Sequence, residues 1–160
     1  MLDHDQDEPV GMLPWSIEAE SSVISALLLN NESWDRVGDI LTEADFYRTE
    51  HRAIFGAIAQ LISASKPADV VTVFEHLERA GDAMKAGGLA YINELAQYVP
   101  SAANVRRYAE IAAERAMMRR LMAAADKARE IATETGLTAT ERLDRCQNEF
   151  QQLATIRGKK

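Results

Sequence analysis

The longest uninterrupted helical pattern in this chain is "NVRRYAEIAAERAMMRRLMAAADKAREIA", residues 104–132. It contains no proline, no glycine and no run of β-branched residues, so nothing within it interrupts an α-helix. With Asn104 as N-cap and Gly136 as stop, about 30 residues form a helix roughly 45 Å long. The "TATE" that follows predicts a capping box from Thr138 to Glu141 and a further helix to about residue 156. Two long helices joined by a short glycine-containing turn predict an antiparallel hairpin.

The apolar residues of the long helix do not keep to one face. In its first half they lie on one side, at Val105, Tyr108, Ile111 and Ala112. In its second half, at about 100° per residue, they form two adjacent stripes elsewhere on the helix. Those stripes are Met117, Leu121, Ala124, Ala128 and Ile131, and then Met118, Met122, Ala125 and Ala132. We therefore predict that the apolar face turns near Ala116, with the first half packing on the rest of the chain.

The final helix has one narrow apolar seam, formed by Leu143, Cys146, Phe150 and Leu153. Such a seam covers only one stripe of the long helix. The stripe left over is Met118, Met122 and Ala125, with Leu121 and Phe150 expected beneath it. Leaving large apolar side chains in water forgoes about 1.5–3 kcal/mol each, so we expect another protein surface to cover this stripe. The alternative is that the preceding helices fold back over it.

Residues 14–100 predict a compact head of about five short helices. Short loops separate five helical patterns, and Phe46 is expected to fill the core from a turn. The hairpin then occupies residues 101–157, and residues 158–160 read as the start of a linker. Ser16 is the predicted N-cap of the first helix, and the second helix is predicted at about 32–41. Thr49 is the predicted N-cap of the third helix. The fourth helix is predicted from a Thr72–Glu75 capping box to Gly81, and the fifth between Gly88 and Pro100.

Composition agrees with an all-α chain, since Gly (8) and Pro (4) are few. Residues 1–13 are acidic with little to bury, and we expect a disordered tail. No signal peptide, apolar 18-residue stretch or possible disulfide is present, so the cytoplasm is expected. Residues 1–100 carry 17 acidic and 6 basic side chains, whereas residues 101–160 carry 8 and 12. An acidic head disfavours strong nucleic-acid binding, and the basic charges of the hairpin are interleaved with acidic ones.

Motifs for catalysis are missing from the sequence. There is no phosphate-binding loop of the Gly-x-x-x-x-Gly-Lys-Ser/Thr type and no Gly-x-Ser-x-Gly. The three histidines, His4, His51 and His76, lack metal-ligand spacing; His51 is interpreted as a surface or packing residue. Cys146 lies on an apolar seam and is interpreted as a small core residue. We therefore expect no catalysis, no cofactor and no metal in this chain.

Several ordered motifs resemble the N-terminal domain of the bacterial replicative DNA helicase, the DnaB family. They span residues 14–157 and include "SIEAE" at 16–20, "DFY" at 45–47 with His51, and "GG" at 87–88 with Tyr91. "PSAAN" at 100–104 with Tyr108 completes the set. Ser25 and Ala112 depart from the family, which usually has glycine and a larger aliphatic residue there.

The resemblance implies that hairpins pair between neighbouring subunits and that six copies form a collar. It also implies a RecA-like ATPase domain, using ATP and Mg²⁺, beyond residue 160, together with docking of the primase C-terminal domain and contact with a helicase loader. The expected hairpin interface residues are Met118, Leu121, Met122, Ala125 and Phe150. The primase-binding candidates are Glu18, Tyr91, Tyr108, Arg115 and Arg119.

Two other classes of function remain open at this point. One is a free-standing helical adaptor or helicase-loading factor, and the other is a nucleic-acid-binding module. For Tyr91 and Tyr108, ordinary packing between head and hairpin is the simple alternative to a partner contact.

Overall fold

The computed structural model describes residues 14–98 and 101–158, apart from the side chains of residues 102, 157 and 158. The predicted tail at residues 1–13, Pro100 and most of the predicted linker therefore lie outside the described residues. The described chain is all-α, which confirms the predicted fold class. Its helices are α1 (Ile17–Leu29), α2 (Trp34–Val37), α3 (Thr49–Ser63), α4 (Val70–Ala80), α5 (Gly88–Ala96), α6 (Val105–Thr133) and α7 (Ala139–Gly158).

Helix α1 is the centre of the head. Residues 19–28 are all buried, and α1 packs against α3, α5 and α6. Serines at 21, 22 and 25 are among these buried residues, and their small side chains allow surrounding helices to approach closely. The helix begins as predicted, because the Ser16 hydroxyl accepts a hydrogen bond from the Ala19 backbone N–H at 3.2 Å.

The predicted second helix at 32–41 is too long. A 3₁₀ turn at Asn31–Ser33 precedes α2, which ends at Val37. The Trp34 indole lies so close to Gly38 that a Cβ there would be 2.6 Å from its Nε1 atom. Only glycine fits beneath the ring, and the chain then leaves the helix to bury Leu41.

The N-caps of α3 and α4 differ from the predicted ones. Helix α3 starts at Thr49 with Arg48 as N-cap, because Arg48 keeps an extended backbone. In α4 the capping box lies three residues earlier than predicted, between Asp69 and Thr72. The Asp69 carboxylate accepts from the Thr72 N–H at 2.9 Å, and the Thr72 hydroxyl accepts from the Asp69 N–H at 2.8 Å. Gly81 ends the helix with φ +79°, as predicted.

Phe46 fills the centre of the head from a non-helical segment, as predicted. It follows a 3₁₀ turn at Glu43–Asp45, is fully buried, and packs against Phe55 of α3 with the ring centroids 4.7 Å apart and the ring planes tilted by 37°. The rest of the core is supplied by α1, α3, α4 and α5 and by the first half of α6.

Helices α6 and α7 form the predicted hairpin. Gly136 adopts φ +85° in the turn, and the predicted box is present: the Glu141 N–H donates to Thr138 Oγ1 at 3.1 Å. Four small head-facing residues of α6 are buried, namely Val105, Ala109, Ala112 and Ala116. Ala124 and Ile131 are the buried residues farther along, on a face rotated by roughly 90°. The predicted turn of the apolar face near Ala116 is confirmed.

The seam predicted for α7 is correct at Cys146 and Leu153, which are half-buried, and wrong at Leu143 and Phe150. Leu143 is 58% exposed and Phe150 is 40% exposed, so they do not face α6. Instead Cys146 lies half-buried with its Sγ 3.4 Å from the Ala128 carbonyl oxygen, and Arg142 donates to the Ala132 carbonyl oxygen at 3.0 Å. These polar contacts with the α6 backbone set the rotation of α7 about its own axis. The spacing of apolar residues does not predict such contacts.

Candidate protein interaction surfaces

The first candidate surface is an apolar face on the hairpin. Leu121 is 51% exposed and Met122 is 56% exposed on α6, close in sequence to exposed Ala125 and half-buried Met118. Leu143 and Phe150 add further exposed apolar area on α7. A helical pair that leaves four large apolar side chains in water is typical of a surface covered by another protein.

The structure corrects part of the interface predicted from sequence. Leu121 and Phe150, expected beneath the stripe, are themselves 51% and 40% exposed, and α7 presents Cys146 to α6. The alternative interpretation was that the preceding helices fold back over this stripe. The described part of those helices leaves Met122 exposed, so the alternative does not hold there. The exposed apolar area is therefore larger than predicted and includes Leu143, which the sequence reading placed in the seam.

The second candidate surface is a cleft of about 400 Å³ between α1 and α6. It brings together two of the predicted partner-binding residues, Glu18 and Tyr108, with Ile111 and the half-exposed Tyr98. Glu18 is exposed, and its backbone carbonyl accepts a hydrogen bond from the Ser22 hydroxyl at 2.6 Å. A carboxylate beside two tyrosines can contact both a basic and an apolar group of a partner.

Tyr91 lies elsewhere, at the end of a buried polar network. The Glu20 carboxylate and His51 Nδ1 are 2.8 Å apart, and His51 Nε2 is 2.7 Å from the Tyr91 hydroxyl. Glu20 is 1% exposed and His51 is fully buried, so the surface interpretation of His51 is wrong and the packing one holds. Burial raises the pKa of Tyr91, and the nearby Arg48 guanidinium, 5.3 Å from the ring centroid, lowers it in part.

The two arginine candidates occupy the junction of head and hairpin. The Arg119 guanidinium donates to the backbone oxygens of Pro14 at 2.5 Å and Asp45 at 2.8 Å, and it lies 5.4 Å from the Tyr47 ring centroid. Burial lowers the pKa of Arg119, and the Glu20 carboxylate raises it in part. Arg115 is half-buried one turn earlier on α6. The described residues that line the cleft between α1 and α6 do not include Arg115, Arg119 or Tyr91.

Sequence reasoning missed the role of Glu20. Its position in the first turn of α1 suits an acid favoured by the helix dipole, yet it also follows Ile17 by three residues and precedes Ile24 by four. This spacing puts a carboxylate on the apolar stripe of α1. His51 similarly precedes Ile54, Phe55 and Ile58 on the apolar stripe of α3. A charged or polar residue within an apolar stripe is the signal that would have predicted a buried pair.

Neither a metal site nor a membrane-spanning helix is found within residues 14–98 and 101–158. No cluster of His, Cys, Asp or Glu there is arranged to hold a metal ion. No helix in the same ranges is long and apolar enough to cross a membrane.

Comparison with known proteins identifies close relatives of this domain. Residues 12–114 match the family described as the DnaB-like helicase N-terminal domain. The chain is 39% identical over 122 residues to the replicative DNA helicase DnaB of Buchnera aphidicola subsp. Baizongia pistaciae, covering 76% of this chain and 26% of that protein. It is 37% identical over 146 residues to DnaB of Mycobacterium leprae, covering 90% and 24% respectively. The chain thus spans about a quarter of the length of these relatives.

Solved structures support the same assignment. The N-terminal domain of DnaB helicase from Mycobacterium tuberculosis superposes with a TM-score of 0.81 at 36% identity, covering 88% of this chain and 98% of that one. A DnaB-like replicative helicase, solved in a study of its interactions with primase, superposes with a TM-score of 0.70. At 19% identity, with 86% of this chain and 31% of that one covered, the second likeness shows the shared fold.

Proposed function

Because this chain belongs to the DnaB-like helicase N-terminal domain family, we propose that it is the collar of a replicative helicase. In this role it joins subunits through its hairpin and docks primase during DNA replication. Catalysis, with its ATP and Mg²⁺, would belong to an ATPase domain outside residues 1–160, and a helicase loader would be a further partner. The cytoplasm is the proposed location.

The observation that carries the proposed self-association is the exposed apolar face of the hairpin. Leu121, Met122, Leu143 and Phe150 are each at least 40% exposed. A hairpin from a second copy has the same apolar face and can cover it about a two-fold axis, the commonest symmetry of protein dimers. Methionine suits such a contact because its flexible side chain adapts to the surface opposite.

Self-association can be tested by replacing Met122 with glutamate. A charge buried at the interface should weaken dimer formation at least about tenfold, which corresponds to about 1.4 kcal/mol. The measurement is sedimentation equilibrium over a range of protein concentrations. Met84→Glu is the matched control, because Met84 is 88% exposed in the turn between α4 and α5 and far from the hairpin in sequence. A wild-type protein that is monomeric at every concentration would contradict the proposal, as would equal weakening by the control.

Primase docking is proposed for the cleft between α1 and α6. Glu18 and Tyr108 line it, whereas the Tyr91 hydroxyl and the Arg119 guanidinium are already bonded within the chain. The solved relative studied for its interactions with primase supports the choice of partner class. Tyr91 and Arg119 then contribute by holding the surrounding helices in place, and Arg115 stays a candidate contact.

The primase proposal is tested by reversing the charge at the cleft. Glu18→Lys should raise the dissociation constant for the primase C-terminal domain about tenfold, within the range for one centrally placed interface residue. Fluorescence anisotropy with a labelled primase domain gives this constant. Glu78→Lys makes the same change on exposed α4 and should leave binding unaltered. Equal affinity of wild type and Glu18→Lys would exclude this cleft as the docking site.

A further inference from the structure

The segment 42–48 is held by side chains from three different helices. The Glu20 carboxylate of α1 accepts a hydrogen bond from the Tyr47 N–H at 2.8 Å. Arg52 of α3 donates from Nε to the Phe46 carbonyl oxygen at 2.7 Å. From α6, Arg119 donates to the Asp45 carbonyl oxygen at 2.8 Å. This short turn is therefore the place where the head and the long helix of the hairpin are bonded together.

Asp45 makes the most direct of these connections. It is fully buried, and its Oδ2 accepts from the Thr42 N–H at 2.8 Å. Its Oδ1 forms an ion pair with the Arg120 guanidinium at 2.8 Å. A buried carboxylate needs such compensation, since an unpaired buried charge is strongly unfavourable. Together with the Arg119 bond to the Asp45 carbonyl oxygen, the ion pair attaches α6 to this turn at two neighbouring residues, which limits the direction of α6 as well as its distance.

Because the ion pair lies partway along α6, a small change in helix direction at this point moves the far end of the hairpin. Arg120 follows Ala116, where α6 still packs on the head, and precedes Ala124, where its buried face has turned. Thirteen residues separate Arg120 from the end of α6 at Thr133, or about 20 Å. A tilt of about 10° at the anchor would move that end by roughly 3 Å.

We infer that Asp45 is a positioning residue that sets the direction in which the hairpin leaves the head, through its ion pair with Arg120 and its backbone bond to Arg119. Its functional consequence rests on the proposed function, because the direction of the hairpin decides where its apolar face meets a second copy. The direction itself is a property of one chain and can be measured independently of assembly.

The test measures one intrachain distance by double electron–electron resonance. Spin labels are attached at Glu78→Cys on α4 and Thr135→Cys in the hairpin turn, both exposed positions, in a Cys146→Ser background. Doubly labelled chains are diluted with unlabelled protein, so that distances between copies do not contribute. Asp45→Asn keeps an acceptor for the Thr42 N–H and removes the charge that Arg120 requires. Glu110→Gln is the matched control, since it removes an exposed carboxylate on α6 that pairs with Arg106 at 3.5 Å.

Asp45→Asn should shift or broaden the distance distribution by about 3 Å, and Glu110→Gln should superpose on wild type. Adding Arg120→Gln to Asp45→Asn should change the distribution no further, because the first substitution has already removed the ion pair. If Asp45→Asn lowers the melting temperature without changing the distribution, Asp45 only stabilises the turn and the inference is overturned. Should Asp45→Asn fail to fold, Arg120→Lys keeps the charge, loses the planar fork and is judged by the same distance. A shifted distance in a protein that is monomeric at every concentration would instead count against the proposed function alone.

Discussion

At the scale of single residues, the buried network of Glu20, His51 and Tyr91 connects three helices of the head. Glu20 lies on α1, His51 on α3 and Tyr91 on α5, with heavy-atom separations of 2.8 Å and 2.7 Å. A carboxylate can only accept, so the Nδ1–H of His51 donates to Glu20, and His51 Nε2 and the Tyr91 hydroxyl share the second hydrogen bond. The same carboxylate also accepts from the Tyr47 N–H, so one buried charge organises both the helices and the turn.

Removing the Tyr91 hydroxyl should weaken the head. We expect Tyr91→Phe to lower the free energy of unfolding by about 0.5–1.5 kcal/mol at pH 7, the usual value of a hydrogen bond. The pKa of Tyr91 is raised above 10.0 in the folded state, so this group stabilises the fold fully below pH 10 and less as pH rises through the folded pKa. The difference between wild type and variant should therefore shrink above pH 10.

Urea denaturation followed by circular dichroism, at neutral pH and near pH 11, measures both effects. Tyr98→Phe is the matched control, because the Tyr98 side chain is 48% exposed, and it should change stability by less than about 0.5 kcal/mol. A difference between wild type and Tyr91→Phe that grows with pH would contradict the stated direction.

At the scale of the elements, helix starts are decided by side chains that bond to free backbone N–H groups. Ser16 and Thr138 were predicted to do this and do so. In α4 the predicted cap, Thr72, is instead the third residue inside the helix, and Asp69 is the N-cap. Both assignments satisfy the sequence pattern, because Asp69 and Thr72 are each good N-cap residues spaced three apart.

The two assignments for α4 predict different mutational costs. Asp69→Ala should lower the free energy of unfolding by about 0.5–2 kcal/mol through loss of the cap. Glu75→Ala, which would break the box predicted from sequence, should cost little because Glu75 is exposed and its ion pair is with Arg79 of the same helix. Thermal or urea unfolding of the two variants compares them directly, and the reverse ranking would show that the helix starts at Thr72 in solution.

Much of the helical organisation was predictable from individual signals, and the rotation of α7 was not. The glycine at 136 and the box at 138–141 are local features, so they predicted the hairpin turn. The rotation of α7 depends on Arg142 and Cys146, whose bonds to α6 carbonyl oxygens join residues 10 and 18 apart in sequence. The spacing of apolar residues favoured Leu143 and Phe150 as residues that face α6, since such a periodicity reflects only the burial of apolar area.

At the scale of the whole molecule, the chain divides its apolar residues between an interior and an exposed face. The head closes around α1, whose residues 19–28 are all buried. The hairpin leaves Leu121, Met122, Leu143 and Phe150 exposed, and in the proposed self-association a second molecule buries them. Stability of the hairpin should then depend on protein concentration, which a closed monomer would not show.

The melting temperature of the wild-type protein should rise with protein concentration, since dimerisation adds about 1.4 kcal/mol per tenfold increase in concentration. Phe150→Glu should flatten this dependence by placing a charge on the exposed face. Differential scanning calorimetry over a hundredfold range of concentration makes the comparison. An unchanging wild-type melting temperature would indicate that the exposed face has no partner in a second copy.

The sequence by itself determined the all-α class, the long hairpin and the turn of its apolar face near Ala116, because these depend on spacing along one helix or on local caps. Only the tertiary structure decided which polar groups are buried together. Glu20 meets His51 across 31 residues, and Asp45 meets Arg120 across 75. It also separated the cleft of Glu18 and Tyr108 from the bonded Tyr91 and Arg119. Such pairings depend on the rotation and crossing of whole helices, and no periodicity within one helix carries that information.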